Sequence, residues 1–331
     1  MMARKRTILA CSSGQLSQAE EKGDQWQVQP RLNHLHVTCL AQDARQPNRA
    51  LAGTDRDGIW LSRDYGDNWE PLGLTTERIR SLAISPHDPG TIYVGTKPAF
   101  MFKSRDGGKS WQELEGFRRI PNRWWWFSPA EPPERAAYVM RIALSPQDPD
   151  CLLAGIEFGA VVLSTDGGLT WSRHRRGSLR DCHSLSFHQR DASYVYEAGG
   201  GGLSMSQDGG HSWQKQNRGV AKRYGITCAA DPEDPQIWYG CVGSSPGNAF
   251  GSDPSVYLYR RHGNDWQPIG WQPHPLNETP TVLLTVPGEA GHLYAGLQRG
   301  SVMHSSDYGE TWRRLPLNLE GIWLHMLILP E

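Results

Sequence analysis

The 331-residue sequence has no excess of charge of either sign. Its 34 Lys and Arg stand against 35 Asp and Glu, a formal net charge of −1. Without a basic stripe there is no electrostatic footprint for nucleic acid or for an anionic membrane surface, so neither is expected as a partner. Long apolar runs are also missing. None approaches the roughly 20 residues that a membrane-crossing helix needs. The six cysteines, Cys11, Cys39, Cys151, Cys182, Cys228 and Cys241, form no C-x-x-C pair and no small-domain framework. They read as free, mostly strand-borne thiols in a reducing compartment, which makes a cytoplasmic location the expectation.

What the sequence does contain is Gly 36, Trp 14 and many short β-rich runs, the composition of an all-β repeat protein. One eight-residue pattern, S-x-D-x-G-x-x-W, recurs at Ser62–Trp69, Ser104–Trp111, Ser164–Trp171, Ser206–Trp213 and Ser305–Trp312. Two weaker copies, Gly23–Trp26 and Gly263–Trp266, keep only G-x-x-W. The Ser and Asp side chains can bond the backbone of a tight turn. The Gly supplies a positive φ. The Trp opens the next strand and fills the gap to a neighbouring sheet.

A second unit precedes the boxes. LAISPHDP at 82–89, IALSPQDP at 142–149 and CAADPEDP at 228–235 each read as a strand, a Pro/Asp turn and the start of another strand. Ser62 to Ser104 and Ser164 to Ser206 are both 42 residues apart, a period that means a propeller or a solenoid.

The box resembles the Asp-box, or bacterial neuraminidase repeat, in which it is a structural hairpin between the third and fourth strands of a blade. With the Ser-Pro-x-Asp-Pro turns, nearly the whole chain resembles the superfamily of sortilin, the photosystem II assembly factors and the xyloglucan-type glycosidases. That resemblance implies a fold and not a reaction.

The expected fold is therefore all-β: a single seven-bladed β-propeller with four antiparallel strands per blade. Its innermost strands are expected at 36–41, 79–84, 139–144, 182–187, 225–230, 281–286 and 323–329. The last has no strands after it, and the missing three are expected at 6–11, 15–19 and 26–29. The ring would close through the termini, which removes exposed sheet edges. Residues 1–331 are then one domain, with blade seven from 6–29 plus 321–330 and blades one to six from 34 to 316. The start, with Ile8-Leu9-Ala10-Cys11, superficially looks like a lipoprotein cleavage site, but its apolar stretch is too short for a signal peptide. Leu9-Ala10-Cys11-Ser12 aligns with Leu51-Ala52-Gly53-Thr54 and is read as a strand.

On this topology one rim carries the monotonous turns and boxes. The other carries irregular insertions at 116–137, 243–255 and 269–280. Binding needs variety, so the irregular rim is the expected functional face. Trp124, Trp125 and Trp126 would form an aromatic wall there, or fold back on the propeller top. Glu157, Asp181 and His183 are the candidate acid–base groups. Arg141, Arg299, Arg80, Asp55 and Tyr224 are candidates for ligand binding, and Arg–carboxylate pairs that merely plug the channel are the alternative. His36, His183 and His325 could converge as a metal site.

Two functions from different classes follow. The first is a small-molecule- or saccharide-binding propeller, of hydrolase or lyase type if it is an enzyme. The second is a non-catalytic propeller that holds a peptide or protein on the same face. No cofactor is required by either, and a His-ligated divalent metal is the third reading.

Overall fold

In the computed structural model, residues 6–23, 25–128, 135–271, 274–323 and 325–330 are described. The fold is all-β and of the propeller type. The last strand, His325–Pro330, pairs with the first, Arg6–Ser12, setting Leu9 opposite Leu327. Gln15–Lys22 and Gln25–Arg31 complete that sheet.

The inner strands of the sheets are deeply buried. Ile92–Lys97, Leu152–Ile156 and Leu293–Leu297 are buried at every position. Both of their faces pack on neighbouring sheets, so they read as continuous apolar runs with little alternation. Outer strands such as Gln25–Arg31 are largely exposed. The core therefore lies between sheets. Ile59 and Leu61 of one, for example, pack against Ile79 and Val94 of the next.

All five boxes share one set of hydrogen bonds. In Ser104–Trp111, the Ser104 hydroxyl donates to Asp106 at 2.8 Å and accepts the Gly108 N–H at 2.8 Å. Asp106 in turn accepts the Ser110 N–H at 2.9 Å. Gly108 sits at φ +96°, as the turn demands. The Ser110 bonds, foremost among several, hold the Asp106 carboxyl far below its usual range. Four Trp indoles close onto the Gly carbonyl of their own box. Trp111 instead donates to Leu72 O, in the neighbouring sheet, at 3.1 Å. These carboxylates are committed to turns.

The expectation of a closed ring of seven separate four-stranded blades is corrected by the hydrogen-bond ladders. Among the described residues these make five blade-sized sheets and one eight-stranded sheet. In the eight-stranded sheet, Val195–Gly200 meets Tyr224–Ala230 through Gly200 and Tyr224. Glycine is the cause: a Cβ on Gly225 would stand 2.2 Å from Gly202 O and 2.7 Å from Gly199 N. With no side chain on Gly225, Gly199 or Gly202, the two backbones close to ladder distance.

A second correction falls on the sheet of Val139–Leu144, Leu152–Ile156 and Val161–Ser164, which has three strands and not four. Its outer edge is met largely by side chains. Ser172 Oγ accepts the Leu163 N–H at 2.9 Å, and His174 Nδ1 accepts that of Val161 at 3.4 Å. No helix among the described residues is long and apolar enough to cross a membrane. All six thiols are free, five of them buried.

Candidate functional site

The innermost strands begin at one rim, and the second strands end there. Glu157 directly follows Leu152–Ile156, and Asp181 and His183 open the strand Asp181–Phe187 of the adjacent unit. One side-chain ligand atom from each of the three lies within 4.8 Å of the others, and all three residues are buried. The structure thus brings together the three acid–base candidates from two neighbouring units.

Their arrangement is set by backbone. His183 Nδ1–H donates to Gly225 O at 2.7 Å, which leaves Nε2 facing Asp181 Oδ2 at 3.3 Å. The Tyr224 ring packs on the imidazole, with centroids 5.0 Å apart. Burial opposes the charged imidazole. The hydrogen bond and charge of Asp181, with the charge of Glu157, outweigh it and raise the His183 pKa. Asp181 Oδ1 is buried and has no hydrogen-bond partner among the described residues. A Cβ on Gly200 would reach within 2.4 Å of Asp181 Oδ2, and one on Gly199 within 1.9 Å of Asp181 O. Gly200 thus leaves room for this carboxylate, and Gly199 for the backbone carbonyl of the same residue.

Asp181 and Gly200 also line a cleft of about 700 Å³ whose wall is Trp124, Trp125, Phe127 and Phe158, with Arg180 at its edge. Trp124 and Trp125 lie in the short helical turn Arg123–Trp125 and stack at 4.3 Å. They remain 74% and 60% exposed, an apolar platform open to solvent. Trp126 is different. It packs on Phe117 at 5.7 Å in the core and is not part of the wall.

The remaining candidates lie elsewhere. Arg141 is in the central channel, where Nη1 donates to Met140 O at 3.0 Å and lies 3.1 Å from His325 Nε2. Burial first, and then Arg141, push the His325 pKa well down, so a neutral ring accepts that bond. This pair lines a cavity of about 320 Å³ with Ser81, Ser184 and Thr227. Arg80 stacks over Tyr138 at 5.1 Å. It borders a pocket of about 220 Å³ with His36, Tyr138, Trp323 and His325. Asp55 pairs with Arg78 at 2.7 Å. Arg299 Nη2 donates to Ser252 O at 2.8 Å on an exposed loop.

The expected convergence of His36, His183 and His325 does not occur. His36 and His325 share one pocket, while His183 faces two carboxylates. Register explains it. His36 precedes its strand Val37–Asp43 and is exposed, whereas His183 lies inside Asp181–Phe187. Sequence reasoning missed Phe158, Arg180 and Gly200. The run Gly199-Gly200-Gly201-Gly202 was the available signal.

Box, blade-like sheets and an irregular rim define the class, an Asp-box propeller. The family described as BNR/Asp-box repeat matches residues 162–173. A curated relative from Neosartorya fischeri, named as a probable oligoxyloglucan-reducing end-specific xyloglucanase, is 25% identical over 158 residues, 42% of this chain and 18% of its own length. The crystal structure of the GH74 xyloglucanase from Xanthomonas campestris superposes with TM-score 0.67 at 16% identity, over 92% of this chain and 52% of that one. YCF48 bound to D1 peptide superposes with TM-score 0.55 at 15% identity, over 86% of this chain and 82% of that one. The chain thus spans about half of the solved xyloglucanase and under a fifth of the curated relative. At these identities the structural likeness shows the fold alone.

Proposed function

We propose that the chain binds a saccharide in the aromatic cleft, with Glu157, Asp181 and His183 as the groups that act on it. The observation that carries this reading is the convergence of the three side chains, of which Asp181 lines the cleft walled by Trp124 and Trp125. Stacked, exposed indoles offer flat apolar faces to the C–H faces of a sugar ring, and the carboxylates and imidazole bond its hydroxyls. If bond cleavage follows, it is hydrolysis. Asp181 holds the His183 imidazole with a proton on Nε2, available to a leaving oxygen, and a carboxylate beside it takes the proton of water. The xyloglucanase named above gives the substrate class to try first.

The test is a titration with xyloglucan oligosaccharides that follows tryptophan fluorescence, with release of reducing ends measured in parallel. Binding to the wild type and its loss in Trp124→Ala/Trp125→Ala are expected. Unchanged binding in that variant would move the site off the cleft.

One observation favours a second reading, a peptide-holding propeller. The chain spans 82% of the peptide-bound YCF48 chain but only half of the xyloglucanase. Binding of extended peptides to the same cleft, with no response to oligosaccharides, would select it.

A further inference from the structure

The corner formed by Glu157, Asp181 and His183 has a feature that hydrogen bonding alone leaves unexplained. A structural plug of buried polar groups satisfies its oxygens. Here Asp181 is 9% exposed, and its Oδ1 has no hydrogen-bond partner among the described residues. The imidazole is oriented as metal-bound imidazoles are: Nδ1–H is held by a backbone carbonyl, Gly225 O at 2.7 Å, and Nε2 points at carboxylate. Asp181 Oδ2 and His183 Nε2 are 3.3 Å apart. Two ligand atoms on a tetrahedral ion with bonds of about 2.1 Å are separated by about 3.4 Å. The third ligand atom, from Glu157, lies within 4.8 Å of both.

We infer that these three residues form a site for a first-row divalent cation of the zinc or manganese class, bound by one imidazole nitrogen and two carboxylate oxygens. Mixed N/O ligation of this kind suits those ions better than magnesium or calcium, which take oxygen alone. The cleft beside Asp181 supplies an entry path and leaves coordination positions open toward it. Saccharide binding at Trp124 and Trp125 does not require the cation, but a bound cation takes the place of the proton on His183 Nε2 and so replaces the acid–base roles given above. Only the use of those open positions, to hold or polarise an oxygen of the ligand, rests on the saccharide reading.

The experiment is calorimetric titration of the EDTA-stripped full chain with Zn²⁺, with no saccharide present. One equivalent is expected to bind the wild type. Asp181→Asn and His183→Ala should each weaken binding at least tenfold. His304→Ala, which removes one half of the imidazole pair His292/His304 (3.1 Å), should leave it unchanged. Absence of binding at millimolar Zn²⁺, equal affinity in a folded Asp181→Asn, or loss in His304→Ala would each overturn the inference. If the Asp181 and His183 variants do not fold, zinc-edge X-ray absorption on the wild type decides. One imidazole with oxygen ligands supports the site, and two or more imidazoles, or none, overturn it. Because sugar binding is read separately through Trp124 and Trp125, failure of either reading is seen apart from the other.

Discussion

Glu197 gives the sharpest test of how the fold is built. It lies in the strand Val195–Gly200, is 0% exposed, and accepts the Leu179 N–H on Oε2 at 2.8 Å. Its other oxygen has no hydrogen-bond partner among the described residues. Burial raises its pKa well above the ordinary glutamate value, and the Leu179 bond and the charge of Lys215 offset only part of this. In the folded chain the carboxyl therefore keeps its proton at pH values where the unfolded chain has lost it. Folding then takes up a proton, and stability falls as pH rises above the unfolded value of about 4.3. For one such group the slope is about 1.4 kcal/mol per pH unit until Glu197 ionises in place.

Glu197→Gln has nearly the same shape and no proton to gain. The stability difference between variant and wild type should therefore move in the variant's favour by about 1.4 kcal/mol for each pH unit above the ordinary glutamate range. Urea unfolding of both proteins at pH 5, 6 and 7 measures it. A difference independent of pH, or one that turns against the variant as pH rises, would refute a protonated Glu197.

Three further outcomes follow from the same structure. Ser206→Ala removes the hydroxyl that accepts the buried Gly210 N–H at 2.8 Å, and should lower stability by about 1–3 kcal/mol in denaturant unfolding. Gly225→Ala places a Cβ 2.2 Å from Gly202 O, so the join within the eight-stranded sheet should open, at a cost of about 1–3 kcal/mol; faster amide exchange around Tyr224 would report it. Deleting His325–Pro330 strips Arg6–Ser12 of its ladder partner, and the exposed edge should aggregate, as seen by light scattering.

The repeat was legible because each box residue has one mechanical role that sequence spacing preserves. Ser, Asp, Gly and Trp make the same bonds at every intact copy, Trp111 alone departing. Sheet boundaries were less legible. The fusion at Gly200 and Tyr224 depends on close approach of glycine backbones from separate segments. The missing outer strand after Ser164 depends on the Ser172 and His174 side chains substituting for backbone acceptors. At the site, Glu157, Asp181 and His183 could be found because they fall at strand ends on one rim of neighbouring units. The imidazole trio failed on register: one residue separates exposed His36 from Val37, which is buried. Trp126 could not be told from Trp124 and Trp125 by sequence, since all three are large and apolar, and only packing on Phe117 separates them.

The central claim is that the corner of Glu157, Asp181 and His183 is where the ligand is held. Calorimetry with a xyloglucan oligosaccharide on the wild type and Glu157→Gln, with melting curves of both, tests it most directly. The account predicts measurable binding by the wild type and at least tenfold weaker binding by a variant that still folds, a loss of about 1.4 kcal/mol or more. Equal affinities in the two proteins, or no binding by the wild type, would contradict it.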